Sequence, residues 1–107
     1  MIYLILFVHF VADFILQTNK MATNKSTSTA WLSSHILVYT LVMSVFGIQY
    51  AIVNGLAHFI VDFITSRLTS YFWKKGDRHK FFIVIGLDQF IHTAVLIASM
   101  PLLAWGI

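Results

Sequence analysis

The acidic residues of this 107-residue sequence are 4 aspartates. Asp13, Asp62 and Asp88 sit in apolar surroundings, each with a histidine four positions away: His9–Asp13, His58–Asp62 and Asp88–His92. On a helix that spacing stacks the two side chains on one face, one turn apart. Two of the pairs belong to a repeated motif, "HFVADFI" at 9–15 and "HFIVDFI" at 58–64. His35 adds another ionisable group in a separate apolar stretch. Imidazole together with carboxylate is a donor set for Zn, Fe, Mn or Co. His9, Asp13, His35, His58, Asp62, Asp88 and His92 are therefore the candidate metal ligands. They are enough for one or two divalent ions. Zinc is the first choice, and iron or manganese follows because carboxylate-rich helical sites also hold them. Two other uses of the same residues stay open. One is a proton or ion pathway through the membrane. The other is simple hydrogen bonding that glues helices together.

Positioning these groups requires elements that tolerate them. The chain is 59% hydrophobic and 10% charged, with a mean hydropathy of +0.83. Soluble domains carry about 25% charged residues, so the bilayer is the expected solvent. An unpaired aspartate in mid-helix costs about 2.5–3.5 kcal/mol on insertion scales, and three would cost about 8–10 kcal/mol. Partners for them are thus nearly obligatory. Apolar segments at 2–17, 31–48, about 50–69 and 81–105 read as four spanning helices. Each needs about 20 residues, and the first is a little short. No basic stretch precedes that first segment and no cleavage pattern follows it, so it reads as a retained span and not a signal peptide. Residues 18–30 form a polar connection in which Ser26–Thr29 caps the second helix. Residues 70–80 form a basic connection, and a short link lies around Gly47–Gln49 and Asn54–Gly55.

The expected fold is all-α: a polytopic membrane protein with one domain over 1–107. Its halves, about 1–49 and 50–107, are helical hairpins of one orientation, related by a pseudo-twofold along the membrane normal. That symmetry sets His9 opposite His58 and Asp13 opposite Asp62. Lys20, Lys25, Arg67, Lys74, Lys75, Arg78 and Lys80 all fall at one side of this topology. Basic excess marks the cytoplasmic side, so both basic connections are cytoplasmic and both termini are outside, in a bacterial inner membrane. Trp31, Tyr71, Trp73 and Trp105 suit the aromatic belts. A formal charge of +3 is too small to imply nucleic acid, and the absence of cysteine excludes disulfides and thiolate metal sites.

Counted at about 1.5 Å per residue from the cytoplasmic helix ends, Asp13, His35, Asp62 and Asp88 lie about 6–10 Å deep, and His9, His58 and His92 about 13–16 Å deep. One slab of ionisable groups results, opening toward the cytoplasm, which Gln17, Gln89 and Asn54 could complete. Lys20, Lys25 and Arg67, with Gln17 and Gln89, are candidates for holding an anionic headgroup or phosphate at its mouth. His79 receives no role, and the motif phenylalanines pack or face lipid. The leading function is metal-dependent hydrolysis of a lipid or lipid-linked substrate, with Asp88 as general base. Its rivals are a divalent-metal or proton transporter or channel, and a non-catalytic interaction protein such as a phage factor acting on a host membrane protein. Besides the lipid bilayer, the partners considered are anionic headgroups, a second copy of the chain, or that host protein. The outer half offers few polar residues beyond Gln49 and Asn54, which argues against a through pathway.

The sequence "HFVADFILQTNKMATNKS", followed by "WLSSHILVYT", "HFIVDFITSRL" and "LDQFIH", resembles the small membrane proteins of the domain of unknown function 3307 family, found in bacteria and their phages. The resemblance covers most of the chain. It implies a multi-pass membrane protein and brings no established activity. The positions matching the family's polar pattern are His9, Asp13, Gln17, Lys25, His35, His58, Asp62, Arg67, Asp88, Gln89 and His92.

Overall fold

The computed structural model describes residues 1–17 and 28–103. Among them the secondary structure is entirely helical. Helix α1 (Ile2–Phe10) continues into a π-helical turn, Val11–Ile15. Helix α2 (Thr29–Met43) ends in a 3₁₀ turn, Ser44–Phe46. Helix α3 (Ile48–Lys75) is followed by α4 (Arg78–Ala98) and a short 3₁₀ tail, Met100–Leu102, carrying Pro101. Lys20, Lys25 and Trp105, expected at headgroup and interface level, lie outside the described residues.

The boundaries differ from the sequence-based ones for local reasons. The basic stretch 70–80 is almost wholly helical. Only Gly76 and Asp77 separate α3 from α4, because both helix ends are capped within that turn. Gly76 adopts a left-handed φ of 82°, which a residue without Cβ takes at least cost. The amide of Asp77 then returns to the carbonyl of Phe72 at 2.9 Å, closing the end of α3 in the Schellman manner. The Asp77 carboxylate accepts from the amide of Lys80 at 3.1 Å and so starts α4. Asn54 and Gly55, expected near a link, lie inside α3. Gly55 is there because of α2: a Cβ at that position would collide with the Thr40 side chain. Small residues at such crossings let helix backbones approach. The cap of α2 is Ser28, whose hydroxyl accepts from the amide of Trp31 at 3.4 Å; Ser26 and Thr27 lie outside the described residues.

The chain is arranged inside-out with respect to water. Phe90, Ile48, Leu41, Leu56 and Ile60 are exposed, whereas His9, Asp13, His35, His58, Asp62 and His92 are buried. α2 together with its 3₁₀ turn (Thr29–Phe46), α3 and α4 are long and apolar enough to cross a membrane; α1 with its π turn is shorter, about 21 Å at 1.5 Å per residue. The surface is thus compatible with a bilayer. Ile5, Ala12, Tyr39, Met43, Phe46, Tyr50, Ala51 and Leu96 form the apolar core, which extends from the ionisable groups toward the α2–α3 joint. One polar lock crosses that end. The Asn54 amide donates to Ser99 Oγ at 2.8 Å and to the Tyr50 carbonyl at 2.9 Å. Asn54 therefore joins α3 to the end of α4 and is not bonded into the histidine–aspartate cluster, contrary to the sequence-based placement.

Candidate metal centre

Asp13 is delivered by the π turn. The amide of Leu16 bonds to the carbonyl of Val11, five residues back, at 2.9 Å. This wider turn displaces Asp13 from the strict one-turn relation with His9, and His9 Nε2 lies 3.9 Å from Asp13 Oδ2. Asp13 instead points across the bundle. Its Oδ1 lies 3.0 Å from His35 Nε2 of α2 and 3.2 Å from His58 Nε2 of α3. Asp62 Oδ2 comes from the same face of α3 as His58 and lies 3.3 Å from His58 Nε2 and 3.6 Å from His35 Nε2. The two Nε2 atoms are 3.1 Å apart. Asp13, His35, His58 and Asp62, all buried, thus bring four donor atoms to one point. Five of the six separations are 3.0–3.6 Å, against edges of about 3.3–3.6 Å for a tetrahedron with zinc bonds of about 2.0–2.2 Å, and all four atoms lie within 4.8 Å of one another.

Asp62 also faces a second group. His92 Nε2 lies 3.2 Å from Asp62 Oδ1 and 3.2 Å from Asp88 Oδ1, and Asp62, Asp88 and His92 form a further set with ligand spacing. The two sets meet through the rings of His58 and His92, whose Nδ1 atoms are 3.1 Å apart. Only one hydrogen fits between those nitrogens. Each ring's Nε2 also faces two carboxylates, Asp13 and Asp62 for His58, and Asp62 and Asp88 for His92. Two neutral rings hold two hydrogens for these three contacts, so one contact lacks its hydrogen. One further positive charge completes the set, a proton or a metal ion, and the spacing of the four converging donors admits a divalent metal. A hydrogen bond from the second ring nitrogen to an outer group, here between His58 and His92, is the usual support of a ligating histidine.

His9 stands apart from both sets. Its Nε2 lies 3.3 Å from Gln89 Oε1 and its Nδ1 lies 2.8 Å from Tyr39 Oη. The Gln89 amide nitrogen, 3.1 Å from Asp13 Oδ2 and 3.1 Å from Asp88 Oδ2, spends both hydrogens on carboxylates. Gln89 Oε1 consequently accepts from His9 Nε2–H, and Tyr39 donates to His9 Nδ1. His9 thus belongs to the frame that holds Gln89, which in turn holds Asp13. Gln89, a candidate both for completing the cluster and for holding a headgroup, is bonded into the cluster. Gln17 lies just past the π turn, half-buried. Arg67 is half-buried, with its guanidinium 3.6 Å above the Phe63 ring and donating to the Phe63 carbonyl at 2.8 Å.

The sequence reading missed Tyr39, Thr65 and Ser66. The Tyr39 ring stacks on His58 at 4.3 Å. Thr65 donates to Asp88 Oδ1 at 2.6 Å. Ser66 is buried beside them. Helical spacing held the signal: Tyr39 lies one turn beyond His35, and Thr65 and Ser66 three and four residues beyond Asp62. Beside these hydroxyls a cleft of about 70 Å³ reaches the cluster, lined by Asp62, Thr65, Ser66, Thr69, Ile85 and Asp88.

The fold and site together define a four-helix protein with bilayer-compatible helices and a buried histidine–aspartate cluster fit for a divalent ion. The family comparison agrees in scope: residues 1–105 match the family described as "Protein of unknown function (DUF3307)", and the chain belongs to that family. No curated protein and no solved structure matches it.

Proposed function

We propose that this chain is an inner-membrane metalloprotein that hydrolyses a lipid or lipid-linked substrate at the cytoplasmic leaflet. The observation that carries this reading is the sharing of Asp62. One of its oxygens completes the Asp13–His35–His58 set, and its residue also lines the cleft with Asp88. Asp13, His35, His58 and Asp62 would hold a single divalent ion, zinc in first place and iron or manganese next. With four protein donors, catalysis needs a fifth position for water or substrate oxygen; the bound ion would then supply a lowered water pKa or polarise the scissile phosphoryl or acyl oxygen. Asp88, at the cleft and fixed by Thr65, Gln89 and His92, is the general base.

Access supports hydrolysis over transport. A hydrocarbon core about 30 Å thick takes about 20 residues of helix. If α3 enters at Ile48, it reaches the opposite interface near Arg67, so Thr65 and Thr69 lie at headgroup depth. Beyond Tyr39 the interior is filled by Ile5, Met43, Phe46 and Tyr50, all buried, where a through pathway would need polar lining. The basic end bearing Lys74, Lys75, Arg78 and Lys80 faces the cytoplasm, and Lys20, Lys25 and Arg67 attract anionic headgroups to it.

The test is hydrolysis of phospholipids and lipid-linked phosphates by purified protein in nanodiscs. Headgroup or acyl release is expected to stop with chelator, to return with zinc, and to fall about 10²–10⁴-fold in Asp88→Asn. Release that is indifferent to chelator and to both Asp62→Asn and Asp88→Asn contradicts the reading.

A further inference from the structure

The contact that lacks its hydrogen has two places open to it. At His58 Nε2, it lets an ion into the Asp13–His35–His58–Asp62 set. At His92 Nε2, it lets an ion onto Asp62, Asp88 and His92, whose donor atoms also lie within 4.8 Å of one another. In this second set His92 Nε2 stands 3.2 Å from Asp62 Oδ1 and 3.2 Å from Asp88 Oδ1. The two sets exclude each other. A neutral imidazole that binds metal through Nε2 carries its hydrogen on Nδ1. The Nδ1 atoms of His58 and His92 are 3.1 Å apart and share one hydrogen. Filling both sets would put two hydrogens into that gap.

The sets also differ in access. The Asp88 side chain is 14% exposed and lines the cleft, whereas the side chains of Asp13 and His35 are 5% and 1% exposed. The cleft of about 70 Å³ has room for an ion with part of its hydration shell. Asp62, Asp88, Thr65, Ser66 and Thr69 line it with oxygens. An ion entering there meets Asp88 before the four-donor set. Three protein donors leave a position for water, so the outer set holds an ion less firmly than the four donors behind it. Asp62 spans both, with Oδ1 toward His92 and Oδ2 3.3 Å from His58 Nε2.

We propose that Asp62, Asp88 and His92 form a loading seat through which a divalent metal ion passes from the cleft into the four-donor set, and that the chain holds one ion at a time. The inference rests on the metal centre of the proposed function and is independent of turnover. The hydrogens balance. With the ion at the seat, His92 Nδ1–H donates to His58 Nδ1, and His58 Nε2 carries a hydrogen toward Asp13 and Asp62. With the ion in the four-donor set, His58 Nδ1–H donates to His92 Nδ1, and His92 Nε2 carries a hydrogen toward Asp62 and Asp88. One hydrogen crosses the Nδ1 gap from His92 to His58, and one passes from His58 Nε2 by way of Asp62 to His92 Nε2. Each ring, His35 included, keeps a single hydrogen in both states. Once the ion has moved inward, Asp88 is released to act as the base.

The experiment mixes the metal-free full chain in nanodiscs with cobalt(II) and follows bound metal and visible absorption. Cobalt absorbs more strongly in a four-coordinate site than where water raises its coordination number. A weak band that gives way to a strong one is expected, with one cobalt per chain at saturation. Asp88→Asn is expected to slow uptake about tenfold or more, because charge in a cleft speeds capture, and to reach the same strong band. His35→Ala takes a donor from the inner set alone and is expected to hold one cobalt with the weak band only. Two cobalt ions per chain at saturation overturn the proposal. So does a strong band that rises in one step at a rate unchanged in Asp88→Asn, and neither result depends on how the His35 variant folds. Lipid hydrolysis by the same wild-type samples separates the two readings. One cobalt taken up through the seat without turnover leaves the seat and removes the hydrolase. Metal-dependent turnover with two ions bound does the reverse.

Discussion

At the scale of single residues, the centre depends on which hydrogens are available. Asp13, His35, His58 and Asp62 stand out in the sequence because ionisable groups are costly in apolar segments. Their convergence is what that argument leads one to expect. The finer division was not legible. His9 and His58 occupy equivalent places in the motif, yet His58 faces the four-atom set while His9 is taken up by Tyr39 and Gln89. Motif identity cannot encode that difference, because the deciding partners lie on α2 and α4. Gln89 supplies the clearest test. It donates to Asp13 and Asp88 together, and removing an outer hydrogen bond to a ligand costs about 10–100-fold in metal affinity. Gln89→Leu is expected to weaken zinc binding by that factor in competition with a chromophoric chelator. Unchanged affinity would mean that Asp13 needs no such support. His58→Ala is expected to remove a ligand and leave Asp62 poorly solvated, lowering both metal content and Tm; loss of neither would remove His58 from the centre.

At the scale of elements, helix type and approximate number followed from hydrophobic run length, while the joints did not. The turn at Gly76–Asp77 disappears into a basic stretch when only hydropathy is followed, although Gly followed by Asp is a legible stop-and-start signal. The π turn at Val11–Ile15 has no counterpart in α3, where the equivalent motif is regular helix. Motif identity is blind to this, because the wider turn reflects where Asp13 must reach and not what precedes it. The α2–α3 crossing is testable in the same terms. Gly55→Ala places a methyl group against Thr40, and overpacking of this kind costs about 1–3 kcal/mol. A lower Tm in detergent is expected, with recovery in the double variant Gly55→Ala/Thr40→Ala. No recovery would show that the penalty arises elsewhere than at this contact.

At the scale of the whole molecule, low charge content, three histidine–aspartate pairs and His35 pointed to an inside-out helical protein, and the exposed Phe90, Leu56 and Ile48 with buried His58 and Asp62 have that character. Orientation is a separate question, carried by the basic residues at the α3–α4 end. The chain has no cysteine, so His79→Cys provides a single reporter. It is expected to react with a membrane-impermeant maleimide only after cells are opened; labelling of intact cells would invert the topology and the side of the cleft. The central claim concerns the ion itself, and elemental analysis of protein purified in mild detergent without added metal tests it most directly. One divalent ion per chain is expected, zinc before iron or manganese, and it is lost in Asp62→Asn. A chain that carries no stoichiometric metal, with a Tm indifferent to chelator, would contradict the account and leave the cluster as a hydrogen-bonded clasp between helices.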